Sequence, residues 1–274
     1  LCLFISGCQT TSSVPQQRPQ MPALTYEVDA SAYQIPELQS LLTLNPAQVE
    51  QIKLFQQQSS MNSLPPYQQL KSFLQQRLVN FNYEGKNYNA NEALALNQGN
   101  CMSLALLTHA IAIELGIDSS FQVMHTMPML LDVTDRLAIT SDHVRTFLYE
   151  SEIDTSKSWF AGRNKVAIDY FPDRYDRGGR KILANEFYAM FYRNLAADAI
   201  VDDDLAYAYL LLKKSFSYST SYAPAINMMA VVLRRLGDIE AAESMYLYGI
   251  DVSEDRVNLL SNYHFLLVSE ARTD

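Results

Sequence analysis

One long apolar segment places the strongest constraint on how this chain of 274 residues folds. Residues 101–115 read CMSLALLTHAIAIEL, with Asn100 before them as an N-cap residue and Gly116 after them as a stop signal. The predicted helix is apolar on nearly every side, which is typical of a helix buried at the centre of a domain. Other elements must therefore cover this helix from several directions.

The segments around this helix predict an α+β domain. Helices are expected after Asn45, with Pro46 at the first position, after the LPP of residues 64–66, and around residues 90–96. Short runs rich in β-branched and aromatic residues predict three strands, at 119–125, 143–150 and 165–171. We expect these strands to form an antiparallel sheet on which the apolar helix packs. Residues 126–142 are predicted to be a loop or an insertion, and residues 173–181 a hinge.

The C-terminal part of the chain carries an internal repeat. Aligning residues 194–215 with 228–249 matches Ala196 to Ala230 and Ala208 to Ala242, each pair 34 residues apart. This is the tetratricopeptide period, and the second segment resembles the second half of that repeat. The pattern predicts an all-α unit of tetratricopeptide-like repeats over 186–274, with a first domain over 31–185. A generic bundle of helical hairpins is the alternative.

Charge argues against nucleic acid and anionic lipid as electrostatic partners. The chain has 30 acidic and 21 basic residues, a net charge of −9, and no basic stripe. No run reaches the roughly 18 apolar residues that a transmembrane helix needs.

The first residues, LCLFISGC, resemble the end of a bacterial lipoprotein signal. This resemblance implies a signal remnant over 1–7, lipidation of Cys8 and a flexible tether over 8–30. Gln9 after the cysteine suggests sorting to the outer membrane, with the protein facing the periplasm. An ordinary cleaved signal peptide and a chance match are the alternatives.

Under that interpretation Cys101 is the only thiol of the mature protein, since Cys2 leaves with the signal and Cys8 carries lipid. Cys101 opens the apolar helix, where unpaired N–H groups and the helix dipole favour a thiolate nucleophile. A small buried hydrophobe is the alternative role for this cysteine.

A thiolate nucleophile needs a base and a group that orients the base. His143 opens the second predicted strand and Asp169 follows the apolar triplet of the third. His109 lies too far along the helix to reach the sulfur and is expected to pack in the core, while His264 belongs to the repeats.

Together, LALNQGNCMSLALLTHAIAIELGI, DHV and VAIDY resemble the transglutaminase-like core, a papain-related fold. The resemblance implies Cys101 as nucleophile, His143 as general base and acid, and Asp169 as the orienting carboxylate. It also implies the backbone N–H of Cys101 as an oxyanion donor. Met102 and Arg145 stand where the family often has aromatic residues.

These observations predict a thiol hydrolase of the cell envelope that cleaves an amide or peptide bond without a cofactor or metal. Its substrate is expected to be a protein or peptide, with a protein partner held by the repeats and contact with the membrane only through the lipid. A non-catalytic tethered adaptor is the alternative. A third hypothesis is a cuprous site formed by soft ligands in the MHTMPM segment: Met124, His125, Met127 and Met129.

Overall fold

A computed structural model describes residues 19–125, 130–134, 137–140, 143–151, 163–170 and 177–272. Cys8, Met127, Met129 and the side chain of His125 lie outside this description, and so do the lipidation and copper hypotheses that depend on them. The described residues combine helices with an antiparallel sheet and end in a helical region, which is compatible with the predicted α+β class.

The helices and strands follow one another from Ala30 to Ser269, beginning with a short 3-10 helix at Ala30–Ala32. The α-helices are α1 (Leu38–Leu42), α2 (Pro46–Gln56), α3 (Pro66–Leu78), α4 (Ala90–Leu96), α5 (Cys101–Glu114), α6 (Ala184–Val201), α7 (Leu205–Phe216), α8 (Ala223–Arg235), α9 (Ile239–Val252) and α10 (Val257–Ser269). The strands are β1 (Asn82–Tyr83), β2 (Gln98–Gly99), β3 (Ser119–His125), β4 (Leu130–Thr134), β5 (Leu137–Thr140), β6 (His143–Tyr149), β7 (Lys165–Ile168) and β8 (Arg177–Ile182).

Helix α5 is the centre of the fold, as its sequence predicts. Every residue from Cys101 to Ala112 is buried. The side chain of Asn100 accepts a hydrogen bond from the backbone N–H of Ser103, and Gly116 has a left-handed φ of +65° just beyond the helix. Both ends of the helix are therefore fixed by residues that the sequence identified.

The main sheet has four antiparallel strands in the order β7-β6-β3-β8. Val144, Thr146 and Leu148 alternate along β6 and are buried, and α5 contacts this strand. The sheet therefore covers one side of α5. Arg145 and Phe147, which alternate with the buried residues of β6, lie on the other face of the sheet.

One prediction about this sheet is wrong. Residues 173–181 were expected to be a hinge, but the described part, from residue 177 onward, belongs to β8 and pairs with β3. The two glycines at 178 and 179 are typical of a turn. The segment is extended because its backbone N–H and C=O groups form hydrogen bonds with β3, a pairing that the local sequence does not indicate.

The segment between β3 and β6 also holds more structure than its sequence indicates. Strands β4 and β5 pair as an antiparallel hairpin within residues 126–142, which were predicted to be a loop or an insertion. The third predicted strand is shorter than expected, because β7 ends at Ile168 and leaves Asp169 just beyond it.

The remaining local predictions for the first domain are confirmed. Asn45 caps α2 in a capping box with Gln48, and Pro46 is the first residue of that helix. Helix α3 begins at Pro66, and α4 spans the predicted residues 90–96.

Helices α6 to α10 preserve the predicted 34-residue period. Helix α7 begins at Leu205 and α9 at Ile239, and each start is capped by an aspartate side chain, Asp204 and Asp238. The residue before each cap has a positive φ, at 61° for Asp203 and 88° for a glycine in the second repeat. The turn geometry thus repeats along with the sequence, while membership of the tetratricopeptide family stays a prediction.

The helical region packs directly against the sheet. Phe187 of α6 stacks on Phe121 of β3 with ring centroids 4.0 Å apart, and both rings are fully buried. One continuous apolar core includes residues from both predicted domains. Within the described residues, no helix is both long and apolar enough to cross a bilayer.

His109 joins α5 to this core, which confirms its predicted structural place. Its ring nitrogens lie 2.7 Å from the Ser119 hydroxyl and 2.6 Å from the Tyr188 hydroxyl, and its ring meets Phe121 edge to face. Burial lowers the pKa of His109 to about 4. The folded protein therefore holds this imidazole neutral.

The lowered pKa of His109 predicts an acid-sensitive fold. Between the ordinary pKa of 6.5 and about 4, the unfolded chain takes up a proton at this residue that the folded chain does not. We expect this difference to remove on the order of 3 kcal/mol from the free energy of unfolding as the pH falls through that window. Urea unfolding of the wild type and of His109→Gln, measured at several pH values, tests this. Parallel curves for the two proteins would contradict it.

Candidate active site

Cys101 lies at the first position of α5, where the helix presents backbone N–H groups without intrahelical partners. The residue is only 4% exposed. The preceding strand β2 pairs in parallel with β1, which places Gly99 beside Tyr83. The cysteine is therefore fixed by the helix on one side and by a short strand pair on the other.

The backbone before Cys101 requires a glycine. Gly99 has a φ of +145°, and a Cβ atom on it would lie 2.8 Å from the Cβ of Ser103. Any side chain at this position would push against the first turn of α5 and displace the cysteine.

Asn100 connects the start of α5 to two other parts of the structure. Its Nδ2 donates to the Gly85 carbonyl at 3.1 Å and to Oδ1 of Asn87 at 2.9 Å. Asn87 in turn donates to Oδ2 of Asp198 in α6 at 2.8 Å. The cap of the cysteine helix is thus tied to the helical region through a chain of hydrogen bonds.

The structure brings all three predicted site residues together. Nε2 of His143 lies 3.3 Å from Oδ1 of Asp169, and Cys101 lies close enough to the imidazole to raise its pKa. Since Nε2 faces the carboxylate, Nδ1 is the ring nitrogen available to the sulfur. The side chains of His143 and Asp169 are 10% and 13% exposed. The three groups form a Cys-His-Asp arrangement that is largely shielded from water.

The electrostatics of this arrangement favour a protonated His143. Burial alone would lower the pKa of His143, but its hydrogen bonds to Asp169 and Cys101, and their charges, raise it to about 10. Burial would raise the pKa of Asp169, but hydrogen bonds from His143 and Arg145 hold it below its usual range. The site therefore stabilises an imidazolium between the sulfur and a carboxylate.

Arg145 binds the outer oxygen of the same carboxylate. Its Nε and Nη2 lie 2.8 Å and 2.5 Å from Oδ2 of Asp169. Sequence reasoning noted Arg145 only as a departure from an aromatic position. Its spacing of two residues from His143, which places both on one face of a strand, was the available signal.

Two tyrosines that the sequence did not single out also lie at the site. Burial and the charge of Cys101 raise the pKa of Tyr83. Burial raises the pKa of Tyr170, whose hydroxyl donates a hydrogen bond to Thr108 of α5. Tyr170 thereby attaches the segment carrying Asp169 to the cysteine helix.

The side-chain amides of Asn100 and Gln98, which precede Cys101 closely in sequence, are engaged away from the sulfur. The amide of Asn100 uses its donors on Gly85 and Asn87, and Nε2 of Gln98 donates to the Tyr88 hydroxyl at 2.8 Å. The role of the Cys101 backbone N–H as an oxyanion donor stays a prediction.

The rest of the described chain offers cavities away from this arrangement. One lies between α2 and α3, beside Phe55 and Phe73, and another lies beside Asn87 and Asp198. Within the described ranges, no three His, Cys, Asp or Glu side chains cluster as metal ligands. Of the residues in the copper hypothesis, Met124 is buried and lies in β3, which ends at His125.

Comparisons with protein-family models, with curated proteins and with solved structures found no match.

Asn100 predicts a stability effect larger than that of an ordinary helix cap. Asn100→Ala removes the cap of α5 and leaves Oδ1 of Asn87 without its donor, so we expect it to lower the free energy of unfolding by about 2–4 kcal/mol. Asn89→Ala removes a similar cap from α4, where the side chain accepts from the N–H of Glu92 at 2.9 Å. This control should lose only about 1 kcal/mol. Urea unfolding measures both, and equal losses would contradict the buried network.

Proposed function

We propose that this protein is a thiol hydrolase that cleaves an amide or peptide bond through Cys101, His143 and Asp169. The observation that carries the proposal is the contact of one imidazole with both the Cys101 sulfur and, at 3.3 Å, the Asp169 carboxylate. A cysteine that served only as a small core residue would not require a protonated partner held in place by a carboxylate.

The chemistry follows from the position of each group. The Cys101 thiolate attacks the carbonyl carbon of the substrate, and the negative charge moves to the carbonyl oxygen, within reach of the Cys101 backbone N–H. The His143 imidazolium gives its proton to the leaving nitrogen as the C–N bond breaks, which leaves a thioester and a neutral imidazole. His143 then accepts a proton from water as the water attacks the thioester. Release of the acid restores the thiolate and the imidazolium.

Asp169 has a supporting part in this cycle. Oδ1 of its carboxylate lies 3.3 Å from Nε2 of His143, and its negative charge stabilises the imidazolium before and after each proton transfer. The cysteine comes from a helix start, and the other two residues come from the neighbouring strand β6 and from the end of β7. This order and these element types support membership of the transglutaminase-like superfamily.

We favour hydrolysis over transfer to an amine because the amino-acid sequence shows no amine-acceptor motif. The substrate class is protein or peptide, since the reacting groups suit an amide carbonyl. The LCLFISGC segment supports placement on the outer membrane, facing the periplasm, through lipid on Cys8. Loss of fatty-acid labelling in Cys8→Ser cells tests that placement, and unchanged labelling would contradict it.

The proposal predicts an unusual pH dependence of Cys101 alkylation. An ordinary cysteine has a pKa of about 8.5, so little thiolate exists at pH 6.5. In the wild type, His143 keeps its proton until the pH approaches about 10, so the sulfur faces a positive charge through the neutral range, and a neighbouring cation favours the thiolate. We expect iodoacetamide to alkylate Cys101 about tenfold faster in the wild type than in His143→Ala at pH 6.5, allowing for the lower nucleophilicity of a stabilised thiolate.

Second-order rate constants from peptide mapping by mass spectrometry provide this measurement. His264→Ala is the matched control, because His264 is an exposed histidine of α10 far from the site in the chain. It should react like the wild type. Equal rates in the wild type and His143→Ala at pH 6.5 would contradict the proposal.

The second candidate function, a tethered adaptor, is favoured by a different observation. The last two helices expose several large apolar side chains: Leu247, Val257, Leu260, Phe265 and Val268. Stacked helical repeats commonly present such surfaces to a protein partner. A crosslinked partner that persists in Cys101→Ala cells but disappears in Phe265→Asp cells would support the adaptor. Loss in both variants would favour an enzyme–substrate contact through Cys101 instead.

A further inference from the structure

We infer that Arg145 is a positioning residue that fixes the Asp169 carboxylate for its contact with His143. This inference rests on the proposed thiol chemistry and adds a fourth residue to it.

Asp169 needs a support that its own strand does not provide. It follows β7, which ends at Ile168, so it lies beyond the last paired residue of that strand. Ile168 pairs with Thr146, and the next position along this ladder brings Asp169 opposite Arg145. The carboxylate therefore depends on side-chain contacts for its orientation.

Arg145 is well placed to supply that support. It lies inside β6 and pairs with Gln122 of β3, while its neighbours Val144 and Thr146 are fully buried. The backbone that carries the guanidinium is therefore held from two sides. His143 precedes Arg145 by two residues on the same strand, so both side chains lie on the same face.

The two partners divide the carboxylate between them. Nε and Nη2 of Arg145 both bind Oδ2, at 2.8 Å and 2.5 Å, whereas Oδ1 lies 3.3 Å from Nε2 of His143. Two donors on one oxygen restrict rotation of the carboxylate and leave the other oxygen directed at the imidazole. A lysine would supply charge without the planar pair of donors.

The guanidinium also keeps Asp169 ionised. A neighbouring arginine typically lowers the pKa of an aspartate, and this aspartate must stay negative to stabilise the imidazolium. Removing Arg145 should therefore let Asp169 take up a proton at a higher pH, and the thiolate–imidazolium pair should fail at that higher pH as well.

The test is the pH profile of Cys101 alkylation by iodoacetamide in Arg145→Gln, Arg145→Lys and Arg163→Gln. Arg163 is the matched control, because it binds Asp118 at 2.8 Å and the Glu150 carbonyl, and neither partner belongs to the triad. We expect the acidic limb of the alkylation-rate profile to lie about one pH unit higher in Arg145→Gln than in the wild type. Arg145→Lys should recover part of this shift, and Arg163→Gln should follow the wild type.

Three outcomes of this experiment would contradict different parts of the proposal. If the Arg145→Gln limb coincides with that of the wild type, or if Arg163→Gln shifts as much as Arg145→Gln, the positioning role is wrong. If Arg145→Lys shows no recovery although thermal unfolding shows that it is folded, the role of charge is also wrong. If the wild type and His143→Ala share one profile, the proposed function itself fails, independently of Arg145.

Discussion

The capping of α5 by Asn100 is the interaction on which the rest of the structure depends. Helix α5 is buried along Cys101–Ala112. Its N-terminus is therefore held in one position only if the N–H groups without intrahelical partners find other hydrogen-bond acceptors. Asn100 satisfies one of them with Oδ1 and uses Nδ2 to reach Gly85 and Asn87. Through Asn87 the same side chain is linked to Asp198, so the loop at residues 85–87, the cysteine helix and the helical region share one fixed point.

The elements defined by local chemistry could be predicted, and those defined by long-range pairing could not. Helix α5 carries its own cap, its own stop signal and an apolar surface on every side, so its place in the core followed from sequence. Strand β8 has two glycines and four exposed residues, and its extended form depends on the unpaired edge of β3. The hairpin of β4 and β5 likewise depends on pairing that no local pattern showed.

The candidate site divides in the same way. Cys101, His143 and Asp169 were predictable because each lies at the end of a recognisable element, and the residue types are those that thiol chemistry needs. The contact of Arg145 with Asp169 depends on the register of β6 and β7, and the link from Asn87 to Asp198 joins residues 111 positions apart. Neither of these two contacts is encoded in a local sequence pattern, although the two-residue spacing of His143 and Arg145 indicated that both lie on one face of the strand.

The contrast between two buried histidines shows what the site does electrostatically. His109 has only hydroxyl partners, so burial lowers its pKa to about 4, whereas His143 lies between Cys101 and Asp169, which raise its pKa to about 10. The most direct measurement is therefore the protonation of the His143 ring by ¹⁵N NMR at pH 8, with His143→Ala used to assign its signals. Both ring nitrogens should carry protons in the wild type, and the ring should become neutral in Cys101→Ser. A neutral His143 ring in the wild type at this pH would contradict the ion pair and the thiol chemistry built on it.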